Sequence, residues 1–140
     1  GIALRTFSAW TQTLLPDPGH VAELTRPEAA LAIGRIFTHY CVNGAFLEPG
    51  QLLAGVGRIR HLPAEILQGR YDMVTPMISA WDLARAWPEA RFTIVDAANH
   101  ASTAAAPALG IAVREATDRL RDRLRLPGAA DAAAPLEATG

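Results

Sequence analysis

Lysine is absent from this chain of 140 residues, cysteine occurs once, and aromatic residues make up only 6%. Each shortage excludes something. With a single thiol, Cys41, no intrachain disulfide can form, and because Cys41 belongs to no Cys/His cluster a zinc site built on cysteine is excluded too. Such cysteine usage fits a reducing, cytoplasmic compartment. A bilayer-spanning helix needs about 18 consecutive apolar residues, and the longest candidates here are broken by Arg or Gly. The thirteen basic residues stand against fourteen acidic ones, a net charge of −1, so no sequence-wide field exists to attract nucleic acid or an anionic membrane surface. Neither is expected as a partner. That every basic residue is Arg, and that Ala fills 28 positions, reads as base-composition bias rather than as a nucleic-acid patch.

What is present is an apolar fraction of 50%, enough for one globular domain. Ala3, Phe7, Trp10 and Leu14 fall on one helical face near the start, with no capping residue before them, as if the chain were part of something longer. Pro16, Asp17, Pro18 and Gly19 read as a turn. Thr25 and Glu28 form a capping box for a second helix running to Val42, with Ile33, Ile36, Phe37 and Tyr40 as its apolar side and Asn43-Gly44 as its stop. Leu52, Leu53 and Val56 fit one short helical face. After Pro63 the period changes: Ile66 and Leu67 lie in a strand-length run ending at Gly69, and Phe92 to Val95 is the next such run. Between them Met77 to Trp87 reads as a helix carrying Ile78, Trp81 and Arg85 on successive turns, so the segment predicts a βαβ unit. A last helix takes Leu109, Val113, Ala116, Leu120 and Leu124 as its buried stripe and Glu115 with Arg119 as an ion pair on its wet side. The Ala/Pro/Gly-rich stretch 127–140 has no periodicity and reads as a disordered tail.

Functional groups of an open α/β sheet collect beyond the carboxyl ends of its strands. Asp72 and His100 both follow predicted strands at that end, and neighbouring parallel strands about 4.8 Å apart bring such loops into contact. An Asp holding a His in one tautomer is the supporting half of a nucleophile–His–acid triad. Asp82 and Asp96 compete for the acid role, and His20, His39 and His61 for the base. The only serines, Ser8, Ser79 and Ser102, are not in a G-x-S-x-G elbow. Cys41, near a helix end with no local base, reads as a buried helix residue. Gly50, Gly55 and Gly57 lack the strand and helix that a phosphate loop requires, so neither a cofactor nor a metal is implied.

Gly69-Arg70-Tyr71-Asp72, followed by Pro76, Ala80-Trp81 and Ala86-Trp87-Pro88, resembles the C-terminal part of the proline iminopeptidases, the prolyl aminopeptidase family of α/β-hydrolases. Leu15-Pro16-Asp17-Pro18, His39-Tyr40 with Asn43-Gly44, Phe46 with Glu48-Pro49, and Ile59-Arg60-His61 carry the same resemblance, which covers Gly1 to about Arg125. It implies an α/β fold in which 1–57 are helices of the cap over the active site and 58–126 are the last two parallel strands and flanking helices of the hydrolase core. It also assigns Asp72 as triad acid and His100 as triad base, and it leaves most of the sheet, the oxyanion loop and the nucleophilic Ser outside this chain. A sheet edge left open in this way offers a surface for self-association.

Some positions depart from the family pattern. Thr11 and Phe37 stand where the resemblance implies carboxylates that hold a substrate's free α-amine, and loss of that charge alters amino-terminal recognition. Cys41 and Thr75 stand at positions of the proline-ring pocket. Asn99 replaces the Gly usual before the His, a mild change because Asn tolerates positive φ, while Glu65 takes an apolar strand position and is costly unless it lies at a solvent end. Two readings follow. One is the C-terminal piece of a serine hydrolase acting on a peptide or small amide or ester once its N-terminal half is supplied. The other is a non-catalytic remnant or binding module.

Overall fold

A computed structural model describes residues 1–124; the tail expected at 127–140 lies outside the described residues. Helix α1 spans Ile2–Gln12, α2 Pro18–Leu24 and α3 Pro27–Val42; after a short turn come α4, Gln51–Gly55, and strand β1, Glu65–Gly69. Helix α5, Met77–Ala86, then leads to β2, Arg91–Val95, and α6, Ala108–Leu124, closes the described chain. The strands pair in parallel, Glu65 opposite Arg91 and Gly69 opposite Val95, so β1, α5 and β2 form the βαβ unit that the two apolar runs predict. The architecture is α/β. Among the described residues no helix is long and apolar enough to cross a membrane.

Two helix starts differ from the sequence expectation, both because of proline. The segment read as a turn begins α2: Pro18 occupies the first helical position, where its missing N–H costs nothing, and the Asp17 carboxylate accepts from the His20 N–H at 2.9 Å. Pro27 likewise takes the first position of α3 and moves the cap to Arg26. Thr25 therefore makes no capping box; its hydroxyl donates back to the Val21 carbonyl at 2.8 Å and closes α2. Asn43 ends α3 as expected, its Nδ2 donating to the His39 carbonyl. Phe46, in a turn at positive φ, packs its ring on His39 at 5.4 Å.

The helices bury their small residues and expose their large ones. Ala9, Ala30, Gly34 and Ala116 are buried, whereas Phe7, Ile36, Phe37 and Tyr40 are more than half exposed or close to it. Small side chains let α1 and α3 approach closely, and a Cβ added to Gly1 would already stand 3.3 Å from the Ala30 carbonyl oxygen. The stripes read from periodicity are thus displaced: Ile78 and Trp81 on α5, and Val113 and Leu124 on α6, face outward. Cys41 is also exposed, not buried.

Glu65 lies at the start of β1 with its side chain only 3% exposed, not at a solvent end. Its carboxylate accepts from Arg119 Nη2 of α6 at 2.9 Å, with Arg91 at 4.0 Å. The Arg119 hydrogen bonds outweigh burial and hold the Glu65 carboxyl below its ordinary range. Arg119 therefore serves the strand rather than an ion pair with Glu115 on its own helix.

Candidate active site

The loops after β1 and β2 are joined before any side chain contributes. Arg70 N–H donates to the Val95 carbonyl and Tyr71 N–H to the Ala98 carbonyl, both at 3.0 Å. This closeness requires glycine at position 69, where a Cβ would sit 2.4 Å from the Asn99 carbonyl oxygen. Gln68, buried at the end of β1, donates through Nε2 to the Thr75 carbonyl at 2.9 Å and holds the far end of the first loop.

Asp72 sits at the centre of that loop with its side chain 7% exposed. One carboxylate oxygen, Oδ1, accepts from the backbone N–H groups of Val74 (2.9 Å) and Thr75 (2.8 Å); the other, Oδ2, accepts from the Thr75 hydroxyl at 2.7 Å and faces His100 Nδ1 at 3.1 Å. Burial raises the carboxyl pKa, but the hydrogen bonds from Thr75, His100 and Val74 together outweigh it, and the net shift is downward. Asp72 is thus an ionised acceptor. Since a carboxylate can only accept, the proton of a neutral His100 belongs on Nδ1, shared between Asp72 Oδ2 and the Thr75 oxygen at 3.2 Å. Nε2 then carries a free lone pair, and no hydrogen-bond partner meets it among the described residues.

Three of the competing residues are engaged elsewhere. Asp96 accepts from Arg70 Nε at 2.6 Å, His20 meets the Gln12 side chain at 3.2 Å, and His39 packs against Tyr40 and Phe46. Asp82 lies on α5. Ser8 accepts from Gln12 Nε2, and no serine among the described residues bonds to His100.

Asn99 does something the sequence did not indicate. It does not adopt positive φ; its buried side chain is what matters. Nδ2 donates to the carbonyls of Thr11 (3.2 Å) and Thr13 (3.0 Å), and Oδ1 accepts the His100 N–H at 2.7 Å, while Ala101 N–H takes the Gln12 carbonyl at 2.8 Å. The free carbonyls at the end of α1 are thereby satisfied by the residues flanking His100. A polar residue placed directly before the His was the available signal; its partners, 86 and 88 residues away, were not visible.

Thr11 and Phe37 line one cleft of about 410 Å³ between α1 and α3, closed at one side by Met73 and Val74 next to Asp72. Cys41, a further turn along α3, does not line this cleft, and Thr75 contacts Asp72 and His100 instead. No group of three His, Cys, Asp or Glu side chains is arranged for a metal ion among the described residues.

No protein-family model matches the chain. Curated relatives do. The chain is 44% identical over 124 residues to a proline iminopeptidase of Neisseria gonorrhoeae, covering 87% of this chain and 38% of that protein. It is 42% identical over 104 residues to the proline iminopeptidase of Xylella fastidiosa strain Temecula1 (71% and 33%) and 43% identical over 104 residues to that of Arabidopsis thaliana (71% and 27%). The chain spans about a third of the length of the curated relatives it matches. With identity above 40% to bacterial and plant proteins along most of its residues, the chain belongs to the proline iminopeptidase family.

Proposed function

We propose that this chain supplies the acid and base of an acyl-transfer hydrolase, a serine aminopeptidase of the proline iminopeptidase kind. In this reading 58–126 are the C-terminal part of an α/β-hydrolase core and 1–57 helices of its cap. The observation that carries it is the 3.1 Å contact of His100 Nδ1 with an enclosed, ionised Asp72 at the carboxyl ends of adjacent parallel strands. His100 Nε2 takes the proton of a serine hydroxyl that attacks the substrate carbonyl, and later returns it to the leaving amine or alcohol. Asp72 fixes the ring and stabilises the imidazolium. The serine comes from polypeptide outside these 140 residues, and the cytoplasm is the compartment that the single thiol suggests. Peptides with N-terminal proline are the substrate class that the relatives' names suggest, although a cleft lined by Thr11 and Phe37 offers a free amine no carboxylate. That last feature favours the second reading, a binding module without turnover.

Supplying the preceding part of a related proline iminopeptidase to the purified chain separates the two. Hydrolysis of prolyl-β-naphthylamide or a p-nitrophenyl ester by the complemented protein, lost by roughly a thousandfold or more in His100→Ala, is the expected result. Equal turnover with Ala at that position overturns the catalytic assignment.

A further inference from the structure

The cleft between α1 and α3 contains one charge, and it is positive. Among the described residues Arg5 is the only ionisable side chain lining it, no carboxylate pairs with its guanidinium, and its Nε is enclosed without a hydrogen-bond partner. Neither neighbouring hydroxyl bonds to it: Thr11 donates to the Ser8 carbonyl at 2.9 Å, and Ser8 Oγ accepts from Gln12 Nε2. Leu4, Phe7, Phe37 and Val74 make the rest of the wall largely apolar. Arg5 Nε is itself enclosed, so a ligand meets the terminal amino groups of this half-buried guanidinium, whose planar pair of donors is the shape that a carboxylate matches with two parallel hydrogen bonds. The cleft volume, about 410 Å³, is that of a small-molecule site.

We infer that this cleft binds a small ligand with an apolar body and a carboxylate, anchored by Arg5. Because Met73 and Val74 of its wall adjoin Asp72, such a ligand lies beside the Asp72–His100 pair, and the group recognised there is an acid rather than an amine. Its identity as a substrate rests on the proposed function; the binding does not.

Three probes with one apolar body separate the charges: hydrocinnamate, its neutral amide and the corresponding phenylpropylamine, titrated by calorimetry into the full chain. The expected order is carboxylate, amide, ammonium, with the carboxylate about tenfold or more tighter than the amide. Arg5→Gln removes that preference, and Arg5→Lys keeps a reduced one because the charge remains without the fork. If circular dichroism shows Arg5→Gln unfolded, the probe order on the unsubstituted chain and on Arg5→Lys still decides. Amide or amine binding as tightly as carboxylate, no binding of any probe at millimolar concentration, or an undiminished preference in Arg5→Gln overturns the inference. A carboxylate preference alongside turnover indifferent to His100→Ala defeats the catalytic reading and leaves the anion site standing.

Discussion

The two halves of the molecule differ in how their enclosed charged groups are answered, while both leave large apolar side chains outside. From β1 onward the enclosed charged and amide groups, unlike Trp87 Nε1 and Thr103 Oγ1, find partners within the described chain: Glu65 meets Arg119, Gln68 meets the Thr75 carbonyl, and Asp72 gathers Val74, Thr75 and His100. In the helices of the first half the small residues are packed, and large apolar side chains such as Ile36 (61% exposed) and Leu52 (69%) face outward. The loops around Asp72 and His100 are held by these hydrogen bonds. The helical half presents an unpartnered apolar surface, so its packing energy is incomplete within these residues. Substitutions therefore have unequal consequences.

The largest expected effect is on Arg119. Arg119→Met leaves the enclosed Glu65 carboxylate with only the more distant Arg91, and Tm should fall by roughly 5–10 °C. Glu65→Gln should cost clearly less, because Arg119, a third exposed, can turn to water. Differential scanning calorimetry of both variants tests the asymmetry; equal losses would mean that the carboxylate is not enclosed.

Asp72→Ala comes next, at about 2 kcal/mol by chemical denaturation, since it removes the acceptor of Val74, Thr75 and His100 at once. The sign of its pH dependence follows from the lowered carboxyl pKa. A carboxylate depressed in the folded state contributes stability above its unfolded pKa, near 3.9, and loses it as pH falls through the folded value. The difference between the unsubstituted chain and Asp72→Asn should be full at pH 6 and shrink between about pH 5 and pH 2. A difference that grows on acidification contradicts the shift.

The smallest effects belong to the helical half. Ile36→Ser and Leu52→Ser should change stability by no more than about 0.5 kcal/mol in this chain, although both are large apolar residues. A loss of several times that size would place them in a packed interface and remove the contrast between the halves.

Much of this was legible in the residues. Both strands, the helix between them and the positions of Asp72 and His100 at the strand ends followed from apolar run length and breaker placement, which act within a few residues. Helix starts were misread where proline moved the cap by one position, at Arg26, or opened a helix, at Pro18, because both a turn and a first helical turn accept proline. The faces that α1, α3 and α5 bury were misread for a different reason, while on α6 Ala116 of the expected stripe is buried. Periodicity ranks residues by size and hydrophobicity, whereas close helix approach favours Ala30 and Gly34 over Ile36 and Phe37.

The sequence by itself determined the alternation of elements and the placing of Asp72 and His100 at one end of a parallel sheet, since propensity and strand direction are local properties; the choice of this pair over its competitors came from the family resemblance. Only the tertiary structure decided that Arg119 serves Glu65, 54 residues away, and that Asn99 ties His100 to the end of α1. It also decided that, among the described residues, Arg5 stands without a counter-ion in the cleft that Thr11 and Phe37 line. Hydrogen-bond partners and enclosure are set by which distant segments meet, and no local pattern of residues carries that information.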